Sequence, residues 1–144
     1  MVNKVMYREI KFRVWDKDYK RMHTVGDFHH DSLEIDEENN IFFFNLQCME
    51  GSPHKGINPE ECAYRLMQYT GLKDKNGTEI YEGDIIKYSH KAVGEIKREV
   101  RYKYGMYGIE GRHEGTQIPF ANILGSEREV VGNIYENPEL LEGN

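Results

Sequence analysis

Apolar and polar residues alternate in short runs along this chain, which is the pattern of β-strands with one buried face. In YREIKFRVW (7–15), Ile10, Phe12 and Val14 are predicted to face the core, and Trp15 the opposite side. The polar run that follows predicts a turn, and MHTVGDF (22–28) predicts a returning strand. The chain is therefore expected to open with a β-hairpin.

The same arrangement of strand, turn and strand predicts a second hairpin. Leu33 and Ile35 alternate with polar neighbours, Glu38–Asn40 is turn-like, and Ile41–Leu46 is apolar and aromatic. The segment MEGSPHKGINPEE (49–61) then concentrates Gly, Ser, Pro and Asn, so it is the best candidate for an internal boundary.

The boundary segment ends in a helix-start pattern. Asn58 can act as the N-cap, Pro59 suits the first helical position, and Glu61 can complete the cap. A short helix over about Pro59–Tyr64 is expected. A turn is the alternative interpretation, because few apolar positions at helical spacing follow.

The segment GLKDKNGTEIYEGDIIKY (71–88) is rich in charges, Gly and Asn, as a phosphate or metal loop would be. A calcium loop is not favoured because Gly77 stands in the wrong place, and a phosphate loop is not favoured because strands follow instead of a helix. Two tight turns between strands account for the pattern better. Turn-forming roles are accordingly predicted for Gly71, Asp74, Asn76, Gly77, Gly83 and Asp84.

Strand patterns continue to the end of the chain. Alternating apolar positions in 93–111 include Ile96 and Val100, and Gly105 allows a bend or bulge. The segment 128–141 predicts a last strand that ends near Asn137, with at most one helical turn after it. Short strands with turn signals about every 8–12 residues indicate a small barrel or a sandwich.

Composition and charge narrow the classes of protein. The chain has 144 residues, enough for one domain or a domain with a small annex, and its net charge of −6 argues against non-specific nucleic-acid binding. Its N-terminus lacks the apolar core of a signal peptide, and its longest apolar run, Ile41–Phe44, is too short to span a membrane. A cytoplasmic protein with free thiols at Cys48 and Cys62 is expected.

No catalytic, metal or cofactor motif stands out. Neither cysteine lies in a metal or nucleophile signature, and paired carboxylates are common in any acidic protein. Adjacent strand residues face opposite ways, so His29 and His30 are poorly placed to share one metal with Asp31. A non-enzymatic protein without a cofactor is therefore expected, and a cryptic metal-dependent enzyme around these three residues is the third hypothesis.

Two basic strips, residues 8–21 and 97–107, have the pattern typical of a binding surface, and tyrosines are interleaved in the second. Exposed cations and aromatic rings on a small barrel can hold single-stranded nucleic acid, which is the second hypothesis. The alternatives are a solvated strand face, or pairing with the acidic segment Asp27–Glu61 of a neighbouring subunit, which favours self-assembly. The residues concerned are Lys97, Arg98, Arg101, Tyr102, Lys103 and Tyr104.

Three blocks of the chain resemble the YopX family of phage and prophage proteins of Gram-positive bacteria. They are YREIKFRVWD (7–16), LMQYTGLKDKNGTEIYEGDIIKY (66–88) and VVGNIYENPELL (130–141). The resemblance implies a mostly β fold, with an SH3-like barrel in the C-terminal part beside an N-terminal β annex. It also implies a phage-encoded origin. It supplies no catalytic residues, so Tyr69, Gly132 and Asn133 join the turn residues above as expected fold determinants.

These observations predict one compact, mostly β protein with at most one or two short helices. Residues 1–57 are expected to form a β-hairpin annex and residues 58–144 an SH3-like barrel. The first functional hypothesis is an accessory protein that works through protein contacts, with itself as a homo-oligomer and with an unknown host or phage protein. The tyrosines, the alternating charges and the missing chemical motifs favour it.

Overall fold

The protein folds into two compact units in this computed structural model. One unit comprises Lys11–Met67, and the other comprises Met1–Ile10 together with Gln68–Asn144. The predicted boundary after residue 57 lies outside the described residues and stays a prediction. The structure describes residues 8–26, 32–35, 37–38, 41–44, 64–92 and 94–142.

The first unit contains two antiparallel hairpins, as the alternating pattern predicts. The first pairs β1 (Phe12–Asp16) with β2 (Arg21–Thr24), and the second pairs β3 (Ser32–Ile35) with β4 (Ile41–Phe44). The turn of the first hairpin is held by the Asp16 carboxylate, which accepts hydrogen bonds from two backbone amides of the turn at 2.9 and 3.0 Å. Short polar side chains that bond the backbone in this way favour turns over longer strands.

Two sequence predictions for the first strand are wrong. Ile10 was expected in the core but is 63% exposed, because β1 begins only at Phe12. Trp15 was expected on the face opposite the core but is buried, as is Val14 beside it. Successive strand residues point to opposite faces, so β1 is covered on both sides and its alternation does not mark one solvent face.

The second unit is built around a curled five-stranded antiparallel sheet. The strand order is β10-β9-β8-β7-β11, and β6 pairs with the end of β5. This arrangement confirms the predicted fold class, a mostly β protein with a small barrel-like part. The strands are β5 (Tyr64–Lys73), β6 (Glu79–Tyr81), β7 (Asp84–His90), β8 (Gly94–Lys103), β9 (Met106–Glu110), β10 (Gln117–Pro119) and β11 (Arg128–Asn133).

Helical structure among the described residues is limited to three 3-10 turns, Phe120–Asn122, Gly125–Glu127 and Pro138–Leu141. The last of these is the helical turn expected in the tail. Most of the helix expected over Pro59–Tyr64 lies outside the described residues, and Tyr64 itself begins β5. None of the described helices is long and apolar enough to cross a membrane.

The core of the second unit is apolar and lies on the inner face of the curled sheet. The fully buried side chains there are Ile80, Ile86, Val100 and Ile109. Burial of each stabilises the fold by about 1.5–3 kcal/mol relative to leaving it exposed to water. Phe120 closes the core from the 3-10 turn that follows β10. The sheet is therefore a rigid platform for the residues on its outer face and on its hairpin turns.

Candidate functional site

The hairpin that joins β8 to β9 ends in a two-residue turn with an unusual composition. Lys103 pairs with Met106, and the turn residues Tyr104 and Gly105 have φ angles of 54° and 76°. Positive φ at both central positions is the pattern of a type I′ turn, which Asn and Gly form most easily. A tyrosine in this position is conformationally unfavourable, since its Cβ is crowded in the left-handed region.

The side chains around this turn form an exposed aromatic surface, here called the hairpin patch: Tyr102, Lys103, Tyr104, Met106 and Tyr107. Tyr102 is 57% exposed, Tyr104 64% and Met106 42%. Tyr107 is half-buried, and its burial, followed by the charge of Glu82, raises the pKa of its hydroxyl. The Tyr107 phenol is therefore neutral at physiological pH.

Contacts within the chain hold the rings of the hairpin patch in place. The rings of Tyr102 and Tyr107 meet edge to face with centroids 4.9 Å apart. The Tyr104 hydroxyl donates a hydrogen bond to the Gly115 carbonyl at 2.7 Å, and the Lys103 ammonium lies 5.1 Å from the centre of the Tyr104 ring. Contacts within the chain thus hold the patch in one arrangement.

Arg101, one of the residues predicted to bind nucleic acid, is engaged by two carboxylates. Its guanidinium donates to Glu99 at 2.6 and 2.9 Å, and to Glu110 at 3.2 Å. The hydrogen bond to Glu99 is the main reason that the pKa of Arg101 is raised, although burial opposes it. Arg101 therefore serves to join β8 to β9, and its charge is neutralised locally.

A shallow cavity of about 260 Å³ opens next to this ion-pair triad. Four of its lining residues are cations, three are carboxylates, and Leu141 supplies an apolar wall. It is called the basic cavity here. Its lining residues are Lys97, Arg98, Glu99, Arg101, Glu110, Gly111, Arg112, Glu114 and Leu141.

The predicted nucleic-acid residues therefore fall into two groups. Lys97, Arg98 and Arg101 line the basic cavity, whereas Tyr102, Lys103 and Tyr104 belong to the hairpin patch. The two groups follow one another along β8 and its turn, but one lines a cavity and the other surrounds the exposed β8–β9 turn.

Arg98 has a defined place within the first group. It donates to the Lys97 carbonyl at 2.8 Å. It also lies close enough to Tyr88 to oppose the rise in the pKa of that phenol that burial causes.

An exposed apolar side chain flanked by acid lies on β3, in the other unit. Ile35 is 65% exposed, and Glu34 beside it and Glu37 just after the strand are also exposed. Glu34, Ile35 and Glu37 are called the β3 patch here. Its composition is complementary to that of the hairpin patch, because one combines an aliphatic chain with carboxylates and the other combines rings with an ammonium group.

Most of the predicted turn residues lie at turns and strand ends of the second unit, but Gly71 lies within β5, where its pairing with β6 is irregular. Gly71, Gly77 and Gly83 have positive φ angles. Asp84 accepts a hydrogen bond from the Tyr81 amide at 2.8 Å, and Asn133 accepts two from the amides of Tyr135 and Glu136. The others are Asp74 and Asn76 in the turn between β5 and β6, Gly132 in β11, and the buried Tyr69 in β5.

The histidine cluster of the third hypothesis, His29, His30 and Asp31, lies outside the described residues, as do Cys48 and Cys62. Among the residues that the structure does describe, no group of three or more histidines, cysteines or acids is arranged to hold a metal ion.

The sequence model of one protein family, described as "YopX protein", matches residues 11–142 of this chain. This chain belongs to the YopX family. A comparison with curated proteins gave no match.

Two solved structures are similar to this chain over nearly all of its length. Protein EF1440 from Enterococcus faecalis is 32% identical, with a TM-score of 0.61 over 94% of this chain and 100% of that one. Protein yopX from Bacillus subtilis is 26% identical, with a TM-score of 0.64 over 93% of this chain and 97% of that one. Both likenesses extend to the fold, and neither protein's name states an activity.

Sequence reasoning missed four residues that complete the basic cavity. Glu110, Arg112, Glu114 and Leu141 join the basic cavity from β9, a turn and the C-terminal 3-10 turn. Glu110 comes close to Arg101 only because Val100 of β8 pairs with Ile109 of β9. The dipeptide Tyr104-Gly105 between two alternating runs was the available signal for that register, since a two-residue hairpin turn fixes it.

Proposed function

We propose that this YopX-family protein is a non-enzymatic accessory protein of phage or prophage origin, which acts in the cytoplasm of the bacterial host cell through protein contacts. Its contact surface is the hairpin patch, and its first partner is a second copy of the chain. The resemblance of its sequence blocks to phage and prophage proteins supports the origin, and the geometry of the β8–β9 turn supports the contact surface.

The observation that carries the proposal is the backbone conformation of Tyr104. A residue at φ 54° in a two-residue turn is most easily Asn or Gly, and a tyrosine there costs about 1 kcal/mol. The chain nevertheless places a large ring at this point and leaves 64% of it exposed. A locally unfavourable residue that presents an aromatic surface to solvent is characteristic of a contact residue.

The ordering of the patch supports the same function. Tyrosine provides a large, amphipathic contact area with few rotatable bonds, and tyrosine and methionine are enriched at protein interfaces. Binding is weakened by the entropy of fixing mobile side chains. Here the Tyr102–Tyr107 ring contact and the Tyr104–Gly115 hydrogen bond have already fixed the rings.

A second copy is the partner that the charges favour. The hairpin patch offers exposed rings with the Lys103 ammonium, and the β3 patch offers exposed Ile35 with Glu34 and Glu37. Each copy carries both surfaces, so the patch of one molecule fits the other patch of the next. A contact between two unlike patches closes into a dimer or ring, or continues as a chain, according to the symmetry that relates the copies.

Sedimentation velocity over a range of concentrations tests the proposal. The wild-type chain is expected to sediment above its monomer mass of 16.9 kDa as concentration rises. Tyr104→Asn should sediment as a monomer, because asparagine keeps the turn but removes the ring. Tyr19→Asn is the matched control, since Tyr19 is equally exposed on the β1–β2 turn. A wild-type protein that stays monomeric at all concentrations would contradict self-association, and a Tyr104→Asn variant that associates like the wild type would contradict the role of the ring.

Single-stranded nucleic acid is the second candidate, favoured by the Lys103 ammonium over the Tyr104 ring. The neutralisation of Arg101 by Glu99 and Glu110 weighs against it, because a paired guanidinium gains little from a phosphate. Binding to a single strand that falls steeply with salt, and that Lys103→Gln weakens, would support this candidate. Binding that is absent at low salt would exclude it.

A further inference from the structure

The basic cavity has a charge distribution that the hairpin patch does not explain. It shares no residue with that patch. Within it, Arg101 is held between Glu99 and Glu110, so these three groups satisfy one another. Because Glu99 and Glu110 both bond Arg101, Glu114 is the remaining carboxylate in the lining for the other three cations.

Three cations of the cavity are left without an ion pair. In the part of the chain that the structure describes, Lys97, Arg98 and Arg112 each lack a carboxylate partner, whereas Arg101, Lys75 and Lys87 have one. Like charges gathered around one concave surface repel one another, and a concave low-dielectric wall strengthens their field. In a chain with a net charge of −6, such a concentration of positive charge is attractive to an anion.

We propose that the basic cavity is a binding site for a phosphate monoester group. A phosphate monoester is a dianion near neutral pH and has three strong acceptor oxygens, so it matches a cavity lined by several cations. Arg112 supplies a planar guanidinium group that can bond two of these oxygens side by side, and Lys97 supplies a point charge. Arg98, whose guanidinium donates to the Lys97 carbonyl at 2.8 Å, adds positive charge to the same lining.

The size and lining of the cavity narrow the ligand further. About 260 Å³ is below the usual volume of a site that encloses a drug-sized molecule, so it accommodates the phosphate group and few other atoms. Leu141 offers one apolar wall for the carbon that bears the ester oxygen. The shared chemistry is a terminal phosphate, which a small phosphorylated metabolite or a phosphorylated side chain can each supply.

Titration of the ¹⁵N-labelled full-length chain with methyl phosphate at constant ionic strength tests the site. Saturable shifts of amide signals are expected in residues 97–101 and 110–114. Arg112→Gln should weaken the binding about tenfold. Arg112 is exposed on a turn, so its replacement leaves the fold intact. Lys91→Gln, which removes the same charge from the exposed turn between β7 and β8, should bind like the wild type.

Dimethyl phosphate, which carries a single charge, is the matched ligand control and should bind clearly more weakly than methyl phosphate. Equal binding of the two esters, shifts that never saturate, or unchanged binding by Arg112→Gln would overturn the proposal. A single-stranded oligonucleotide without terminal phosphates that binds more tightly, with shifts at Tyr102 and Tyr104, would overturn it in favour of a nucleic-acid surface. Once methyl phosphate binding is established, free phosphoserine and a phosphoserine peptide distinguish a metabolite from a modified protein as the source.

Discussion

The Asp74 carboxylate accepts a hydrogen bond from the backbone amide of Val130 at 3.0 Å, although the two residues are 56 positions apart. Its other oxygen accepts hydrogen bonds from the amides of Asn76 and Thr78 within its own turn, at 2.8 and 2.9 Å. One buried side chain therefore shapes the β5–β6 turn and fastens it to β11. The backbone amide of Lys75 also donates a hydrogen bond to the Arg128 carbonyl. The turn therefore occupies the outer edge of β11, to which an additional strand could otherwise pair.

Removal of the Asp74 side chain is expected to be strongly destabilising. Asp74→Ala leaves three backbone amides without their acceptor, and we expect the free energy of unfolding to fall by about 3 kcal/mol. Urea denaturation at neutral pH measures this loss. Asp18→Ala is the control, since Asp18 is an exposed acid in another turn, and it should cost less than about 0.5 kcal/mol. Equal effects of the two variants would show that the tie to Val130 contributes little.

The same carboxylate predicts a dependence of stability on pH. Burial raises the pKa of Asp74, but the hydrogen bonds from Val130, Thr78 and Asn76 outweigh it and hold the pKa below its usual value of 3.8. A carboxyl group whose pKa is lowered by folding stabilises the protein above the unfolded pKa, and this stabilisation is lost as pH falls through the folded pKa. The difference in stability between wild type and Asp74→Asn should therefore be constant near neutral pH and shrink below about pH 4. A difference that grows in acid would contradict the assignment.

Arg101 is predicted to affect stability more than binding. Arg101→Gln breaks the ion pair with Glu110 that joins β8 to β9 and the ion pair with Glu99 within β8, and because the guanidinium is partly exposed we expect a loss of only about 1 kcal/mol. Thermal melts at low and high salt measure it, and the loss should be smaller at high salt. Arg112→Gln, the comparison variant, should leave the melting temperature unchanged. An Arg101 variant that melts like the wild type would mean that the triad is not a structural element.

Gly132 is required by close packing, since its β-carbon would lie 2.5 Å from Asn137 Oδ1 and 2.9 Å from Asn137 Cβ. Gly132→Ala is therefore expected to cost about 2 kcal/mol through this overlap. The double variant with Asn137→Ala should recover part of the loss, because the side chain in the way is then shorter. A double-mutant cycle in urea measures the coupling, and strictly additive losses would place the cost elsewhere.

Tyr104→Asn is predicted to stabilise the monomer, in contrast to most substitutions. The change relieves the left-handed strain but loses the exposed hydrogen bond to Gly115, so we expect a net gain of about 0.5 kcal/mol. Denaturation at a low protein concentration, where the chain is monomeric, isolates this effect from association. A loss greater than about 1 kcal/mol would show that the ring is needed for folding, which would remove the reason to regard it as a contact residue.

The sequence predicted the strands and the turns because those features are local. The Asn76-Gly77 turn, the two hairpins of the first unit and the last strand all follow from alternation and turn chemistry within a few residues. Ile10 shows where this logic fails, because alternation continues past the end of the strand and cannot tell a paired residue from an exposed one.

The surfaces could not be predicted, because they depend on contacts between distant positions. Arg101 appeared free in a basic run, and only the register of β8 with β9 brings Glu110 to it. Leu141 contributes to the basic cavity from the 3-10 turn Pro138–Leu141, far along the sequence from β8. The buried Arg128, which donates to the carbonyls of Lys73 and Ile123, carried no signal at all, since an isolated arginine is usually exposed.

The central claim, that the hairpin patch of one molecule contacts the β3 patch of another, is tested most directly by exchanging their charges. Lys103→Glu alone and the pair Glu34→Lys with Glu37→Lys should each abolish self-association, because each places like charges against one another. A mixture of the two variants should associate again, since both possible contacts between one variant and the other pair opposite charges. Sedimentation velocity of the separate and mixed proteins gives the result. Recovery only in the mixture is what we predict, and variants that associate alone, or a mixture that stays monomeric, would contradict the account.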